Sequence, residues 1–455
     1  MESLMLSVGS TQVHLLGDGI VAPVKGCRRT TGNVIEKSSE LFPLQSGMQL
    51  RQEEIAVVLQ GTPDEIDDWL RMIEALFSRI ALGERAVIYI QPAEGLDIYQ
   101  SSVLGGKLVL LGNGTSDMKR GGMGVRLDLV RENYWEGSEV DIPLTNPHGV
   151  DVIDGLLLYN QYHENGSKYN YALIDGADIV GEIPAPVTIK IKNDDTTFLD
   201  RLGRILVGQS TVAALQPGDT WIEGALGSSS LNYGSIGDAD ASNAAYGLIQ
   251  WSGVGAYEII KFQIERLRAA RFAGKLVKPV VRMHDYYTTD DYWIRFKVKQ
   301  GDAIERTRWQ KIETYKRMIV LPAVHVPPKD LQTSQMADVW VSIEMQRKSV
   351  GPHQFTIDDI DLIPVDGYRE YDELGSYGLY YGETLVDELS NDLLYSYNFV
   401  TFERLLSHRA IGKGIWVVPG LDQMIVVKYA GNSNECEPNH IIHLSMSYRP
   451  RRINL

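Results

Sequence analysis

Hydrophobic and polar residues alternate along most of the chain with a period of two. A β-strand turns successive side chains to opposite faces, so this alternation predicts strands with one packed face and one wet face. Clusters of Gly, Asn, Asp and Pro between the runs supply the turns of antiparallel sheets. The clearest runs are Val125 to Val130, Val187 to Lys192, Ile294 to Val298, Val339 to Met345 and Ile442 to Met446. The pattern therefore predicts a mainly β fold.

One segment departs from this alternation and predicts a long amphipathic helix. Thr62 can accept hydrogen bonds from the first amides, Pro63 suits the first helical position, and Glu65 can close a capping box. Apolar residues then recur at helical spacing until Gly83 ends the run. This apolar stripe consists of Ile66, Trp69, Leu70, Ile73, Leu76, Phe77 and Ile80. At Tyr257 to Phe272, a second helix is an alternative to strands.

The order of these elements divides the 455 residues into three segments. Residues 1–145 are predicted to form a β-rich domain that carries the helix, and residues 146–370 a β-sandwich. Residues 371–455 form a final β-segment, which completes an earlier domain or folds as a small one. Gly224 to Asn243 is rich in Gly, Ser, Ala and Asp, and this composition predicts a long exposed loop.

Composition and charge narrow the function. Hydrophobic residues make up 44% of the chain and charged residues 23%, which excludes wholesale disorder. The net charge of −15 argues against tight nucleic-acid binding, because that needs a basic surface to displace counterions. No apolar run approaches the roughly 18 residues of a membrane helix, and Met1 to Gly19 lacks a signal-peptide pattern. Cys27 and Cys436 are too few for a disulfide scaffold, so a reducing compartment fits best.

Motifs of catalysis or cofactor binding do not stand out in the sequence. The nucleophile elbow Gly-x-Ser-x-Gly and the Walker A motif are absent, so no cofactor is expected. The conceivable carboxylates for glycoside hydrolysis are Glu182, Glu223, Glu258 and Glu344. Because no pattern sets two of them across a cleft, an enzyme is not the expectation.

The acidic run Asp358-Asp359-Ile360-Asp361, with Asp366 nearby, leaves two interpretations open. Clustered carboxylates suit a structural calcium ion. The alternative is a core strand whose acids face water.

Tyrosine and tryptophan are abundant relative to phenylalanine: the chain has 23 Tyr and 8 Trp but only 9 Phe. Their polar tips let them lie at interfaces more readily than Phe does. Such groups serve subunit contact, packing at sandwich edges, or stacking on sugar rings, and all three uses remain open. The candidate interface or glycan-contact residues are Tyr286, Tyr287, Tyr292, Trp293, Tyr377, Tyr380 and Tyr381.

Three stretches of the chain together resemble one family, the tail-tube and distal-tail proteins of long-tailed, siphovirus-type bacteriophages. The first runs from Arg51 through the capped helix and a strand at Ala86 to Ile90, and ends at Trp135. The second begins with the Pro-Ala-Pro strand entry of Gly181 to Val187 and is similar to a carbohydrate-binding type of jelly roll. The third is the ending Leu444 to Arg451, which resembles the closing strand of those tail proteins.

The resemblance implies a ring-forming domain in residues 1–145, a β-sandwich flanked by one helix, and an inserted jelly roll in residues 146–370. It implies a structural protein at the distal end of the tail, made in the host cytoplasm and joining the tail tube to the tail tip. The implied partners are further copies in a ring, a hexamer by resemblance, together with the tail-tube protein and the tail-tip hub protein. DNA would be passing cargo only.

Two other functions stay open at this point. The first is a receptor-binding or glycan-binding tail protein that adsorbs to a host surface glycan through the jelly roll. The second is a polysaccharide-degrading tail enzyme. If the chain forms a ring, the Gly-rich segment Gly112 to Gly124 is either an arm that bridges subunits or a surface loop.

Overall fold

The computed structural model confirms the predicted mainly β class, with one long helix in the part of the chain that it describes. No helix within the described residues is long and apolar enough to cross a bilayer. The described residues are 3–16, 24–37, 48–111, 123–149, 155–194, 201–212, 215–265, 271, 274–285, 287, 291–326, 339–347, 349–372, 378–398, 409–431 and 438–453. The segment 112–122, predicted as an arm or loop, and Cys436 lie outside them.

The chain forms two compact units. The first comprises Met1–Val140, Val180–Pro184 and Arg449–Leu455, and the second comprises Asp141–Ile179 and Ala185–Tyr448. The elements of the first part of the chain are β1 (Ser3–Val8), β2 (Thr11–Leu16), β3 (Val24–Lys37), β4 (Met48–Leu59), α1 (Pro63–Ala81), β5 (Ala86–Gln91), β6 (Tyr99–Leu111), β7 (Met123–Glu132), β8 (Trp135–Glu136) and β9 (Val140–Asp141).

In the first unit, one antiparallel sheet carries α1 on its apolar face. Its strand order is β2-β1-β5-β6-β7-β4-β3, and β8 joins beside β6. The helix begins as predicted, because Thr62 and Glu65 form the reciprocal hydrogen bonds of a capping box. Trp69 and Phe77 are buried on the face turned to the sheet. Gly106 of β6 permits this approach, since a Cβ there would lie 2.5 Å from the ring of Phe77.

The second unit is built almost entirely from short strands. Those up to residue 306 are β10 (Leu144–Thr145), β11 (Leu156–Tyr159), β12 (Tyr171–Ile174), β13 (Ala185–Asn193), β14 (Leu202–Ser210), β15 (Trp221–Glu223), β16 (Asn232–Gly237), β17 (Ala245–Ser252), β18 (Gly255–Ile264), β19 (Leu276–Arg282), β20 (Tyr292–Gln300) and β21 (Ala303–Arg306). The rest are β22 (Gln310–Lys311), β23 (Met318–Val320), β24 (Val324–His325), β25 (Val339–Arg347), β26 (Pro352–Ile357), β27 (Asp359–Pro364), β28 (Gly367–Asp372), β29 (Glu383–Glu388), β30 (Leu393–Asn398), β31 (Arg409–Ile411), β32 (Trp416–Val417), β33 (Gln423–Gly431) and β34 (Ile441–Tyr448). Short 3-10 helices lie at Glu164–Gly166, Gly176–Asp178, Gly224–Leu226 and Ser242–Ala244.

A central sheet of the second unit is covered on both faces. Its order is β10-β12-β33-β14-β28-β31. Along β33, Ile425 and Val427 pack with β11, β13 and β34 in one hydrophobic core, which we name core A. Met424 and Val426 point the other way, into a core formed with β15, β17 to β20 and β23 to β27, which we name core B. Residues Met424 to Val427 of β33 therefore form a continuous apolar run, because neither face of this strand is exposed to solvent.

Four further sheets complete the second unit around these cores. The sheet β11-β34-β13-β29-β30 supplies the far wall of core A, and β32 pairs with β13. Core B is enclosed by the sheets β15-β27-β19-β23, β16-β17-β26 and β18-β25-β20-β21. The strand β18 (Gly255–Ile264) shows that the alternative helix at Tyr257 to Phe272 is wrong over residues 257–264. Its bulged pairing with β25 buries Ile259 and Ile260 together, which mimics helical spacing.

Residues after 371 contribute to both units. Strands β29 to β34 pair within the sheets of the second unit. The last strand, β35 (Arg451–Arg452), pairs with β8 in the first unit, where Arg451 bonds Glu136 through Nη2 at 2.7 Å.

Candidate functional site

The aromatic residues singled out from the sequence fall into two separate places. Tyr287 and Tyr292 stack with ring centroids 4.1 Å apart, and Arg347 lies 4.7 Å above the ring of Tyr292. The Tyr287 hydroxyl donates to the carbonyl of Gln354 at 2.5 Å. Tyr292 is buried, and Trp293, beside it on β20, is half-buried. This group packs within the second unit.

The other predicted aromatics precede β29, in a different sheet. Tyr380 and Tyr381 are both exposed, and the guanidinium of Arg201 lies 4.1 Å above the ring of Tyr380. Tyr286 and Tyr377 lie outside the described residues. The structure thus brings Tyr287 and Tyr292 together and leaves Tyr380 and Tyr381 apart from them.

The acids of β27 and the residue before it do not face water, so that expectation is wrong for Asp358, Asp359 and Asp361. All three are buried, because this strand packs against the central sheet and the face that the sequence leaves polar is covered. The charges are offset by Arg282 of β19 and Lys428 of β33. Within the described residues, no group of three or more His, Cys, Asp or Glu side chains could hold a metal ion. The exposed Asp366 accepts instead from Thr211 at 2.9 Å.

These five residues, Arg282, Asp358, Asp359, Asp361 and Lys428, form what we name the buried charge cluster. Lys428 Nζ lies 2.7 Å from Asp359 Oδ1 and 3.0 Å from Asp361 Oδ2. Arg282 Nε lies 3.1 Å from Asp358 Oδ2, and Arg282 also pairs with Asp359. Burial raises the pKa of Asp359 to about 6, although Arg282 and Lys428 oppose the shift.

Beside this cluster the second unit opens into a cavity of about 320 Å³, which we name the Trp221 pocket. That volume lies at the lower end of the roughly 300–1,000 Å³ of small-molecule sites. The ring of Trp221 separates the two features, since Lys428 Nζ lies 4.4 Å from its centroid. The pocket is lined by Tyr162, His163, Glu164, Asn165, Gly218, Trp221, Ile222, Glu223, Leu226, Asn243, Phe262 and Gln263.

Three 3-10 helices shape the pocket, those at Glu164–Gly166, Gly224–Leu226 and Ser242–Ala244. The 3-10 helix at Ser242–Ala244 is anchored to the buried charge cluster, because the buried backbone amide of Ser242 donates to Asp358 Oδ1 at 2.7 Å. Its backbone enters the left-handed region at Asn243 (φ 49°) and Ala244 (φ 58°). Strained backbone of this kind persists where surrounding contacts fix it, and such sites are often functional.

Glu223 is one of the ionisable groups that line the pocket. Its carboxylate accepts from Ser242 Oγ at 2.8 Å, from Trp221 Nε1 at 3.3 Å and from the Asn243 amide. Burial raises the pKa of Glu223 to about 7, and the nearby Asp359 adds to the shift. At neutral pH this carboxyl can therefore either donate or accept a hydrogen bond.

The other carboxylates considered for hydrolysis do not join Glu223. Glu344 pairs with Arg295 at 2.5 Å, and Glu258 pairs with Lys297 in the same sheet. Glu182, in the first unit, accepts from the Ile453 amide at 2.9 Å.

No local pattern in the sequence predicts the pocket as a whole. Its aromatic residues Tyr162, Trp221 and Phe262 come from distant parts of the chain. Gly224 to Asn243, expected to be a long loop, instead contains two 3-10 helices and β16. A Gly- and Ser-rich composition does not distinguish a loop from an edge hairpin whose turns need small residues.

Comparisons with known proteins leave the family open. No protein-family model matches the chain, and no curated protein matches it. Among solved structures, a chain of the phage P2 baseplate in its activated conformation is 8% identical, with 94% of this chain and 99% of that chain covered at a TM-score of 0.22. A family 35 carbohydrate-binding module from Clostridium thermocellum is 12% identical, with 31% and 97% covered at 0.21. An exo-β-1,3-galactanase from Phanerochaete chrysosporium is 6% identical, with 61% and 78% covered at 0.19. Scores this low carry no argument about fold or function.

Proposed function

We propose that the chain is a structural virion protein of a bacteriophage tail. In this proposal it is a distal-tail-like ring subunit at the distal end of the tail, where it joins the tail tube to the tail tip and carries the second unit as a peripheral jelly-roll module. The three stretches that resemble tail-tube and distal-tail proteins support it. So does the first unit, in which a single capped helix lies on one antiparallel sheet.

The observation that carries this proposal is a row of exposed apolar side chains on the first unit's sheet. Val58 and Leu111 flank Gly124 in register on three neighbouring strands, with 45% and 39% of their surfaces exposed. Exposed apolar groups gathered in one place mark protein contact surfaces. We name Val58 and Leu111 the β6 apolar row and assign it to contact between ring subunits.

The proposal includes the partners that the resemblance implies. These are further copies of the chain in a hexameric ring, the tail-tube protein and the tail-tip hub protein. An acidic chain also suits a conduit, because a negative lining repels the phosphates of passing DNA.

Charge reversal within the β6 apolar row tests the ring contact. The double variant Val58→Glu/Leu111→Glu places carboxylates in the row, and we expect it to sediment as a monomer while its melting temperature changes little. Leu82→Glu is the matched control, because Leu82 is 89% exposed just after α1 and lies outside the row. A double variant that assembles like the wild type would remove the row from the interface.

Immuno-gold labelling of virions that carry a tagged copy tests the location. We expect label at the distal end of the tail. Label on the capsid, or no label on particles, would reject the tail assignment.

A receptor-binding or glycan-binding tail protein is the second candidate function, and the Trp221 pocket favours it. The two candidates are separable, since ring formation is measured by oligomer mass and adsorption by a glycan array. We propose no bond-breaking step for this chain. Accordingly, incubation with host envelope polysaccharide is expected to release no reducing sugar, and sustained release would replace both candidates with a depolymerase.

A further inference from the structure

Electrostatics of the Trp221 pocket restrict the charge of its ligand. The ionisable groups among the described residues that line it are His163, Glu164 and Glu223, with no Lys or Arg. The buried charge cluster behind it holds three acids and two bases. An anionic ligand would lose its hydration beside carboxylates of the same sign, without a cation to offset the loss. The pocket is therefore suited to a ligand without negative charge.

The walls of the pocket are largely apolar. Trp221, Ile222 and Phe262 form its buried part, and the half-buried ring of Tyr162 lies on another side. Aromatic faces of this kind pack against C–H surfaces, while the Tyr hydroxyl keeps a polar tip. A ligand with at least one apolar face matches them.

The mouth of the pocket is polar in a way that complements hydroxyl groups. The side chains of Asn165, Asn243 and Gln263 are exposed there. Each side-chain amide offers N–H donors and a carbonyl acceptor. A hydroxyl group of a ligand can likewise both donate and accept a hydrogen bond. A pyranose ring combines an apolar face with a rim of hydroxyl groups. The apolar face matches the walls of the pocket, and the hydroxyl groups match the amides at its mouth.

The pocket is also held in shape without a ligand. Ser242 is bonded through its amide to Asp358 and through its hydroxyl to Glu223, at 2.7 and 2.8 Å. These contacts fix the left-handed backbone at Asn243, whose amide reaches Glu223. A preorganised site loses less conformational entropy on binding, which lets a small ligand be held.

We propose that the Trp221 pocket binds one neutral hexopyranose residue, either as a free sugar or as the end of a glycan. The volume of about 320 Å³, at the lower end of small-molecule sites, suits an occupant as small as one sugar ring. This inference rests on the glycan-binding candidate and is independent of ring formation. The β6 apolar row lies in the other unit, so either proposal can fail while the other holds.

Saturation-transfer NMR and calorimetric titration of the full chain test the ligand class. The probes are the methyl glycosides of glucose, galactose, mannose and glucuronic acid. We expect at least one neutral glycoside to bind with a dissociation constant of about 1–10 mM, a range usual for weak small ligands. The glucuronide should bind at least tenfold more weakly than its glucose counterpart. A glycan array then distinguishes the sources, because binding seen only on the array identifies the end of a glycan as the ligand.

Variants at the mouth test the location. Gln263→Ala removes an exposed amide, and Asn243→Gly removes another at a positive φ that glycine adopts without strain. Each should weaken binding at least fivefold without lowering the melting temperature by more than a few degrees. Gln354→Ala is the control, because Gln354 is an exposed strand glutamine outside the pocket, and its affinity should stay within twofold. Equal binding of the glucuronide, unchanged affinity in both mouth variants, or no binding of any neutral sugar free or on the array would overturn the proposal.

Discussion

The two units each bury ionic groups, but in different proportions. In the first unit, Arg131 Nε lies 2.9 Å from Glu53 Oε2, and both side chains are fully buried. That pair sets one base against one acid, and the guanidinium also lies 4.2 Å above the ring of Trp135. In the second unit, the buried charge cluster sets Arg282 and Lys428 against three acids.

The ratio of acidic to basic side chains determines what each buried group can do. A one-to-one buried pair is a structural fixture, because breaking it leaves one charge uncompensated. An excess of acid favours uptake of a proton instead, and the raised pKa of Asp359, about 6 with burial as its main cause, agrees with that. Since Asp358 also holds Ser242, protonation in the cluster bears on the Trp221 pocket.

Removal of Lys428 should have the largest effect. In Lys428→Met, three buried acids face Arg282 alone, so we expect a loss of about 5 kcal/mol, the upper end of the range for broken buried pairs. Urea denaturation monitored by fluorescence measures it. Lys192→Met is the control, because Lys192 is partly exposed and lies 3.4 Å from Asp194, and it should lose less than about 1 kcal/mol. Similar losses in both variants would show that the cluster is accessible to water.

Removal of Arg131 should cost less, because it leaves a single acid uncompensated. We expect Arg131→Met to lose about 3 kcal/mol, the lower end of the same range. Glu53→Met/Arg131→Met removes both charges and should recover most of that stability. Urea denaturation measures the stability of both variants. A double variant that is less stable than Arg131→Met would contradict a simple charge pair.

The dependence of stability on pH sharpens the comparison further. For Glu223, burial raises the folded-state pKa from 4.5 to about 7, so its stabilising contribution is complete below pH 4.5 and is lost as pH rises through 7. Glu223 faces Ser242, Asn243 and Trp221, with Asp359 as the nearest acid. Melting temperatures measured from pH 4.5 to 8 should fall for the second unit, and Glu223→Gln should reduce that fall. An identical profile in the variant would mean that Glu223 ionises as it does in water.

A smaller effect of opposite sign is expected at acidic pH. Although burial opposes it, Arg204 and Lys278 lower the pKa of Glu370 to about 2. Its stabilising contribution is therefore present above pH 4.5 and is lost as pH falls toward 2. With the melting profile extended down to pH 2, Glu370→Gln should lower the melting temperature above pH 4.5 and should reduce the fall between pH 4.5 and 2. A loss as large at pH 2 as at pH 7 would indicate a general packing defect.

Local patterns in the sequence predicted the elements well. Thr62, Pro63 and Glu65 carry the whole start signal of α1, because a capping box involves neighbours in sequence. The alternation in β7, β13, β20, β25 and β34 likewise places their apolar residues in the cores. Those signals depend on residues only a few positions apart.

The candidate site could not be predicted in the same way. The Trp221 pocket joins side chains from residue 162 to residue 263, and no local pattern reports that meeting. The sequence of a strand shows which of its faces is polar, so the acids of β27 are expected to face solvent. It does not show that Lys428, from a strand distant in sequence, covers that face. Tyr287 and Tyr292 are only five positions apart, so the sequence already groups them, and they pack on each other.

Native mass spectrometry of the purified chain, across a dilution series, tests most directly the claim that this protein is a self-assembling ring subunit. The account predicts a discrete closed oligomer, with a hexamer at six times the 50.9-kDa chain mass, that the Val58→Glu/Leu111→Glu variant abolishes. A wild-type chain that remains a monomer at every concentration would contradict it.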